Sequence, residues 1–183
     1  MQKLNFFKSY FSTIASKISE VDTDLLFKGI QIILDTNTKG GKVIFVGNGG
    51  SAAMASHLSV DLTKAASIRA INFNEADLLT CFANDYGYEH WVAKALEAYA
   101  DENDTVVFIS SSGKSPNIIN GVSQARLMNL KIITLSGFNS DNPLSKLGDI
   151  NFWCESIQYN VVEMTHHVWL LAMVDYIINC RND

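Results

Sequence analysis

Two short segments concentrate groups that bind an anion without a charged side chain. Gly47-Asn48-Gly49-Gly50-Ser51 follows an apolar run and leads into the helical Ala52-Ala53-Met54-Ala55. Glycines let the backbone approach a ligand closely, and the free N–H groups at the start of the next helix carry the positive end of its dipole. Ser51 adds a hydroxyl donor. The second segment, Ser110-Ser111-Ser112-Gly113-Lys114-Ser115, precedes Pro116 and gathers four hydroxyls, several amides and a helix start within six residues. That composition makes a phosphate cradle. Neither spacing is GxGxxG or GxxxxGK[ST], so no dinucleotide or Walker-type site is indicated and no nucleotide cofactor is expected.

Acid–base and ligand chemistry is concentrated elsewhere. His57 and Asp61 are four residues apart, so on a helix they share a face and can act as a ligand pair or as a ligand and a base. The run Val161-Val162-Glu163-Met164-Thr165-His166-His167 carries a carboxylate three and four residues before two imidazoles. Glu163 with His166 or His167 can therefore present a second such pair. Cys81, Cys154 and Cys180 are widely spaced without a CxxC pair, which indicates neither a disulfide framework nor a zinc ribbon and suits a reducing cytoplasm. His90 borders a helix, and Trp91, Trp153 and Trp169 lie in apolar periodic segments as core or subunit-interface aromatics.

The elements that must hold these groups alternate. Five short apolar runs read as buried strands: Val43 to Val46, Ile68 to Phe73, Thr105 to Ile109, Lys131 to Leu135, and Ile150 to Cys154. Helical patterns lie between them at Ala52 to Thr63, Ala76 to Phe82, His90 to Ala100 and Pro116 to Met128, with a closing helix from about Val162 to Ile178. Ahead of the first strand, Phe7, Phe11, Ile14 and Ile18 recur at helical spacing, and a second helix starts near Asp22-Thr23 and ends at Gly40-Gly41. The predicted fold is α/β: a doubly wound, flavodoxin-like, five-stranded parallel sheet with helices on both faces and an N-terminal helical pair. Residues 1–183 are read as one domain, with the helical pair in 1–40 and the α/β core in 41–183.

Hydrophobic residues make up 48% of the 183 and charged residues 18%, enough for a substantial core. A net charge of −5 with no stripe of Lys and Arg argues against nucleic-acid binding. The N-terminus lacks the long apolar run and small-residue cleavage site of a signal peptide, and no stretch reaches the ~20 uncharged apolar residues that span a bilayer. No membrane partner is expected.

The two loops, in this order and spacing, resemble the paired signatures of the SIS (sugar isomerase) domain family. Cys81-Phe82-Ala83-Asn84-Asp85-Tyr86-Gly87-Tyr88, together with His57 and Asp61, is similar to the phosphoheptose isomerase branch, and the likeness covers nearly the whole chain. The resemblance implies that Asn48, Gly49, Gly50, Asn84, Asp85, Ser110, Ser111, Ser112 and Ser115 contact a sugar phosphate. It implies a cytoplasmic enzyme that isomerises sedoheptulose 7-phosphate to an aldose heptose 7-phosphate for surface polysaccharide. It also implies a homotetramer with shared active sites, for which the aromatic face of Phe6, Phe7, Tyr10 and Phe11 and the apolar closing helix supply the interface. Asp61 and His166 are the candidate proton-transfer groups, and His57, Asp61 and Glu163 the candidate ligands of a zinc ion. Three positions depart from that branch: Asp61 stands where it has Glu, and its later Gln and His fall on Val162 and Leu170, which can neither ligate nor transfer protons. Two readings stay open, the isomerase and a non-catalytic sugar-phosphate-binding module that regulates or scaffolds a protein partner. A nucleotide-binding flavodoxin-like protein ranks third because it leaves the serine loop unexplained.

Overall fold

Residues alternate in facing along each strand, and that alternation divides the core in two. In β1 (Val43–Gly47), Val43 and Phe45 point to one side and Ile44 and Val46 to the other. β3 (Thr105–Ser110) repeats the pattern, with Val107 and Ile109 on the first side and Val106 and Phe108 on the second. Side chains buried on both faces are the signature of a parallel sheet covered by helices on both sides. The computed structural model describes residues 2–182 and shows that sheet: five parallel strands in the order β2-β1-β3-β4-β5, where β2 is Ala70–Asn72, β4 Lys131–Ser136 and β5 Ile150–Trp153.

The first face is covered by α2 (Thr23–Thr38), α3 (Gly50–Lys64) and α7 (Tyr159–Asn182). α4 (Ala76–Tyr86), α5 (Trp91–Tyr99) and α6 (Pro116–Leu127) cover the second. Trp91, Phe45 and Phe108 are among the largest fully buried side chains, and burying each contributes about 1.5–3 kcal/mol relative to exposure. The apolar stretch of α7 would be long enough to cross a membrane, yet half of it is buried against this core. α1 (Gln2–Ser19) lies outside on α7, where the Trp169 indole N–H donates to the Ile18 carbonyl at 2.9 Å. Its Phe6, Phe7 and Phe11 remain more than half exposed. Trp91 and Trp169 are core residues, whereas Trp153 sits exposed on the edge strand β5.

Strand order reverses between β1 and β3, because β2 lies on one side of β1 and the rest of the sheet on the other. At such a switch point the loops after the two strands diverge and leave a crevice at the carboxyl ends. Here those loops are the glycine-rich and serine-rich segments.

Candidate active site

The glycine loop turns sharply. Gly49 caps α3 with φ +54 and ψ −121, a conformation for which only glycine is suited. The Ser51 N–H then bonds the Asn48 carbonyl at 3.0 Å, which starts the helix. The serine loop closes in the same way, with the Gly113 N–H on the Ser110 carbonyl at 2.9 Å and Gly113 at φ +64. The Gly137 N–H bonds the Ser111 carbonyl at 2.9 Å and ties the loop to the end of β4. Ser115 caps α6 by position but not by its hydroxyl, which accepts from the Ser110 hydroxyl at 3.2 Å. Neither α3 nor α6 is capped by a side chain at its N-terminus. Both therefore present the positive ends of their dipoles with no side chain across them.

Between the loops lies a cavity of about 300 Å3, lined by Asn48 to Ser51, Ile109 to Ser112, Ser115, Tyr159 and Glu163. The Ser111 hydroxyl is buried there without a hydrogen-bond partner among the described residues. A buried orphan hydroxyl costs about 1–3 kcal/mol unless a ligand satisfies it. Asn48, by contrast, is fully engaged in bracing: its carboxamide exchanges two hydrogen bonds with buried Asn117 at 2.9 and 3.0 Å, and its Oδ1 accepts from the Tyr88 hydroxyl at 3.1 Å. Its side chain fixes the loop.

Of the sugar-phosphate contacts expected from the sequence, Asn48, Gly49, Gly50, Ser51, Ser110, Ser111, Ser112 and Ser115 all line this cavity. Asn84 and Asp85 do not. They occupy the exposed last turn of α4, where the Asn84 amide donates to Asp85 at 2.9 Å.

The candidate acid–base and metal residues divide differently from the expectation. His166 is fully buried and lies outside the cavity; its Nε2 is 2.9 Å from the Ser136 carbonyl, which can only accept, so Nε2–H donates. Burial depresses its pKa to about 4, only partly opposed by that bond. A neutral imidazole sealed beneath β4 cannot serve as the proton-transfer group, and this corrects the expectation for His166. Its neighbour His167 points instead to α3, with Nε2 3.0 Å from Nδ1 of His57. On the other side of the same ring, His57 Nε2 lies 3.2 Å from Asp61. Burial, then the nearby His57, lower the His167 pKa, and Asp61 opposes them.

These residues do not fit a zinc ion. His167 and Asp61 address opposite nitrogens of the His57 ring, so their donors cannot converge on one ion. Glu163 lies apart in the cavity, against Gly50. Val162 and Leu170 are buried and offer no donor, and among the described residues no three His, Cys, Asp or Glu side chains are grouped to hold a metal. The expected set His57, Asp61 and Glu163 is therefore not assembled in this chain.

One cavity residue and one residue that braces the cavity wall escaped the sequence reading. Tyr159 lines the cavity and packs edge-on against Phe138, with centroids 4.8 Å apart, because α7 starts three residues before the apolar pattern does. Asn117 braces Asn48 from α6; a polar residue in a first helical turn carries no local sign of such a partner.

A model of the SIS domain matches residues 6–137. The chain belongs to the SIS domain family. Among curated members it is 34% identical over 143 residues to the phosphoheptose isomerase of Fusobacterium nucleatum, covering 75% of this chain and 74% of that one. It is 37% identical over 131 residues to that of Photorhabdus laumondii, covering 68% of each. The solved structure of a phosphoheptose isomerase from Francisella tularensis superposes with a TM-score of 0.88 at 26% identity, covering 98% of this chain and 99% of that one. The SIS family membership and the phosphoheptose isomerase likeness expected from the two loops and the Cys81 to Tyr88 segment are thus both found.

Proposed function

We propose that this SIS protein is a phosphoheptose isomerase, which interconverts sedoheptulose 7-phosphate and the aldose heptose 7-phosphate. One observation carries the reading: two uncapped helix N-termini, the serine hydroxyls and the orphan Ser111 hydroxyl converge on one cavity at the switch point of the sheet. Such a concavity binds a phosphate dianion through N–H dipoles and hydroxyl donors. The isomerase names of the relatives favour turnover over a purely regulatory module. The product of such an enzyme is a precursor for heptose-containing surface polysaccharide.

Ketose-to-aldose conversion moves one proton between adjacent carbons through an enediol, so a positioned acid–base group beside the carbonyl is required. Ser110, Ser112 and Ser115 hold the phosphate in this reading, and the glycine loop holds the sugar's oxygens with backbone N–H groups. The test is direct: purified protein incubated with sedoheptulose 7-phosphate yields aldose product, at the same rate with zinc or with a chelator added. Absence of product in both arms overturns the assignment.

A homotetramer is part of the proposal. Its support is the exposed α1 face of Phe6, Phe7 and Phe11, together with exposed Val60, Met164 and Val168 around the His57–His167 pair. Exposed apolar patches above several hundred Å2 mark interfaces, and closed symmetry would place the loops of one subunit near the closing helix of another. Light scattering checks it, since a mass near the 20.2 kDa of one chain rules it out.

A further inference from the structure

We propose that Glu163, from the first turns of α7, is the catalytic residue that moves the proton between C1 and C2 of the sugar phosphate; this rests on the isomerase reading above. Every other candidate base lies elsewhere: Asp61, His57 and His167 form a separate line along α3 and α7, His166 is sealed beneath β4, and Asp85 is on exposed α4. The cavity lining holds two ionisable side chains, Glu163 and Tyr159. The Tyr159 ring packs edge-on against Phe138, and of the two side chains the carboxylate is the group suited to act as a base. Among the described residues of one subunit, Glu163 is thus the carboxylate that lines the cavity.

Its placement suits the role. Both carboxylate oxygens lie where a Cβ on residue 50 would stand, so Gly50 makes room for them against the start of α3. No hydrogen bond or neighbouring charge offsets its partial burial. The carboxylate is therefore held by packing and remains free to accept a proton. With the phosphate held by the serine loop and the α6 N-terminus on one wall, the carboxylate faces the distal carbons from the other.

The step balances without a co-reactant. The Glu163 carboxylate takes a proton from C1 of the ketose, the C1–H electrons form the C1=C2 bond, and the C2 carbonyl oxygen takes a proton from water. The resulting enediol then receives the Glu163 proton at C2, while the O1 proton returns to water as the C1=O bond forms. One carboxylate on one face serves both halves.

Four variants of the full chain, three at Glu163 and one at Asp61, test this, with turnover of sedoheptulose 7-phosphate, deuterium uptake at C1 from D2O and inorganic-phosphate affinity by calorimetry as readouts. Glu163→Gln and Glu163→Ala are expected to lose about 10²–10⁴ in kcat and the exchange with it, while phosphate affinity is retained. Glu163→Asp, shorter by one methylene, is expected to fall between them and wild type, an order that a merely structural role would not produce. Wild-type turnover in Glu163→Gln overturns the assignment, as does a pattern in which Asp61→Asn abolishes exchange and Glu163→Gln does not. Wild-type protein that binds phosphate but neither isomerises nor exchanges overturns both the function reading and this role, whereas an active wild type with an active Glu163→Gln overturns this role alone.

Discussion

The two ends of the parallel sheet are lined by opposite kinds of chemistry. At the amino ends, a cleft of about 440 Å3, larger than the site, is bordered by Asp35, Asp101, Glu102 and Asp104 with Lys39 and Lys131. The polar groups beside it satisfy one another. Buried Asp104 accepts from the Lys42 backbone at 2.7 Å, the Lys42 ammonium at 2.6 Å and the Asp101 backbone at 2.8 Å. Burial would lower the Lys42 pKa, but hydrogen bonds to Asp101 and Asp104 outweigh it and raise the pKa. At the carboxyl ends the smaller cavity keeps two helix starts with no side-chain cap and, among the described residues, a serine hydroxyl and a carboxylate without a hydrogen-bond partner. Size does not mark the site. Between these two clefts the difference is unmet hydrogen-bonding capacity at the smaller one, where a buried unpaired donor costs stability unless a ligand satisfies it.

The comparison breaks most readily at the serine loop. Replacing Ser110, Ser112 and Ser115 together by Ala is expected to weaken sugar-phosphate binding about 10³-fold or more, since each charge-assisted bond contributes about 1.5–3 kcal/mol before relaxation. Asp101→Asn at the other end is expected to leave that affinity unchanged, and calorimetry on both variants decides. Stability responds the other way. Asp104→Ala leaves the Lys42 backbone and ammonium short of a partner and is expected to cost about 3 kcal/mol in urea unfolding, with sugar-phosphate affinity intact.

A pH effect follows from His166. Its folded pKa of about 4 lies below the unfolded value near 6.5. Above pH 6.5 both states are neutral and stability is full. Between about pH 6.5 and 4 the unfolded chain binds a proton that the folded chain refuses, so up to about 3 kcal/mol is lost. Denaturant titrations across that window should show a shallower fall in His166→Gln. The smallest effect is at the outer helix, where Trp169→Phe removes the bond to Ile18 and is expected to cost about 1 kcal/mol.

Much of the fold was legible because its signals are local. The alternation of apolar runs and helical patterns specified five strands and both glycine-rich and serine-rich loops, each at the end of its strand. The expected strand from Ile68 to Phe73 shortens to Ala70–Asn72, because an edge strand pairs on one side only and its buried ends, Ile68 and Phe73, pack without extending the ladder. Expected helix ends moved by up to four residues. The site was legible where it depends on backbone turns, at Gly49, whose φ and ψ suit only glycine, and at Gly113, where a Cβ would run into the Asn142 side chain.

By itself, then, the sequence determined the sheet, the two anion-binding loops and the stretch of α7 that had to supply acid–base groups. It could not decide which of His166 and His167 reaches what. Adjacent residues on a helix point about 100° apart, so a rotation set by packing against α3 and β4 seals one imidazole under the sheet and turns the other to His57. The same rotation brings Glu163 over Gly50, so the choice among the candidates on α7 belongs to that helix's long-range packing.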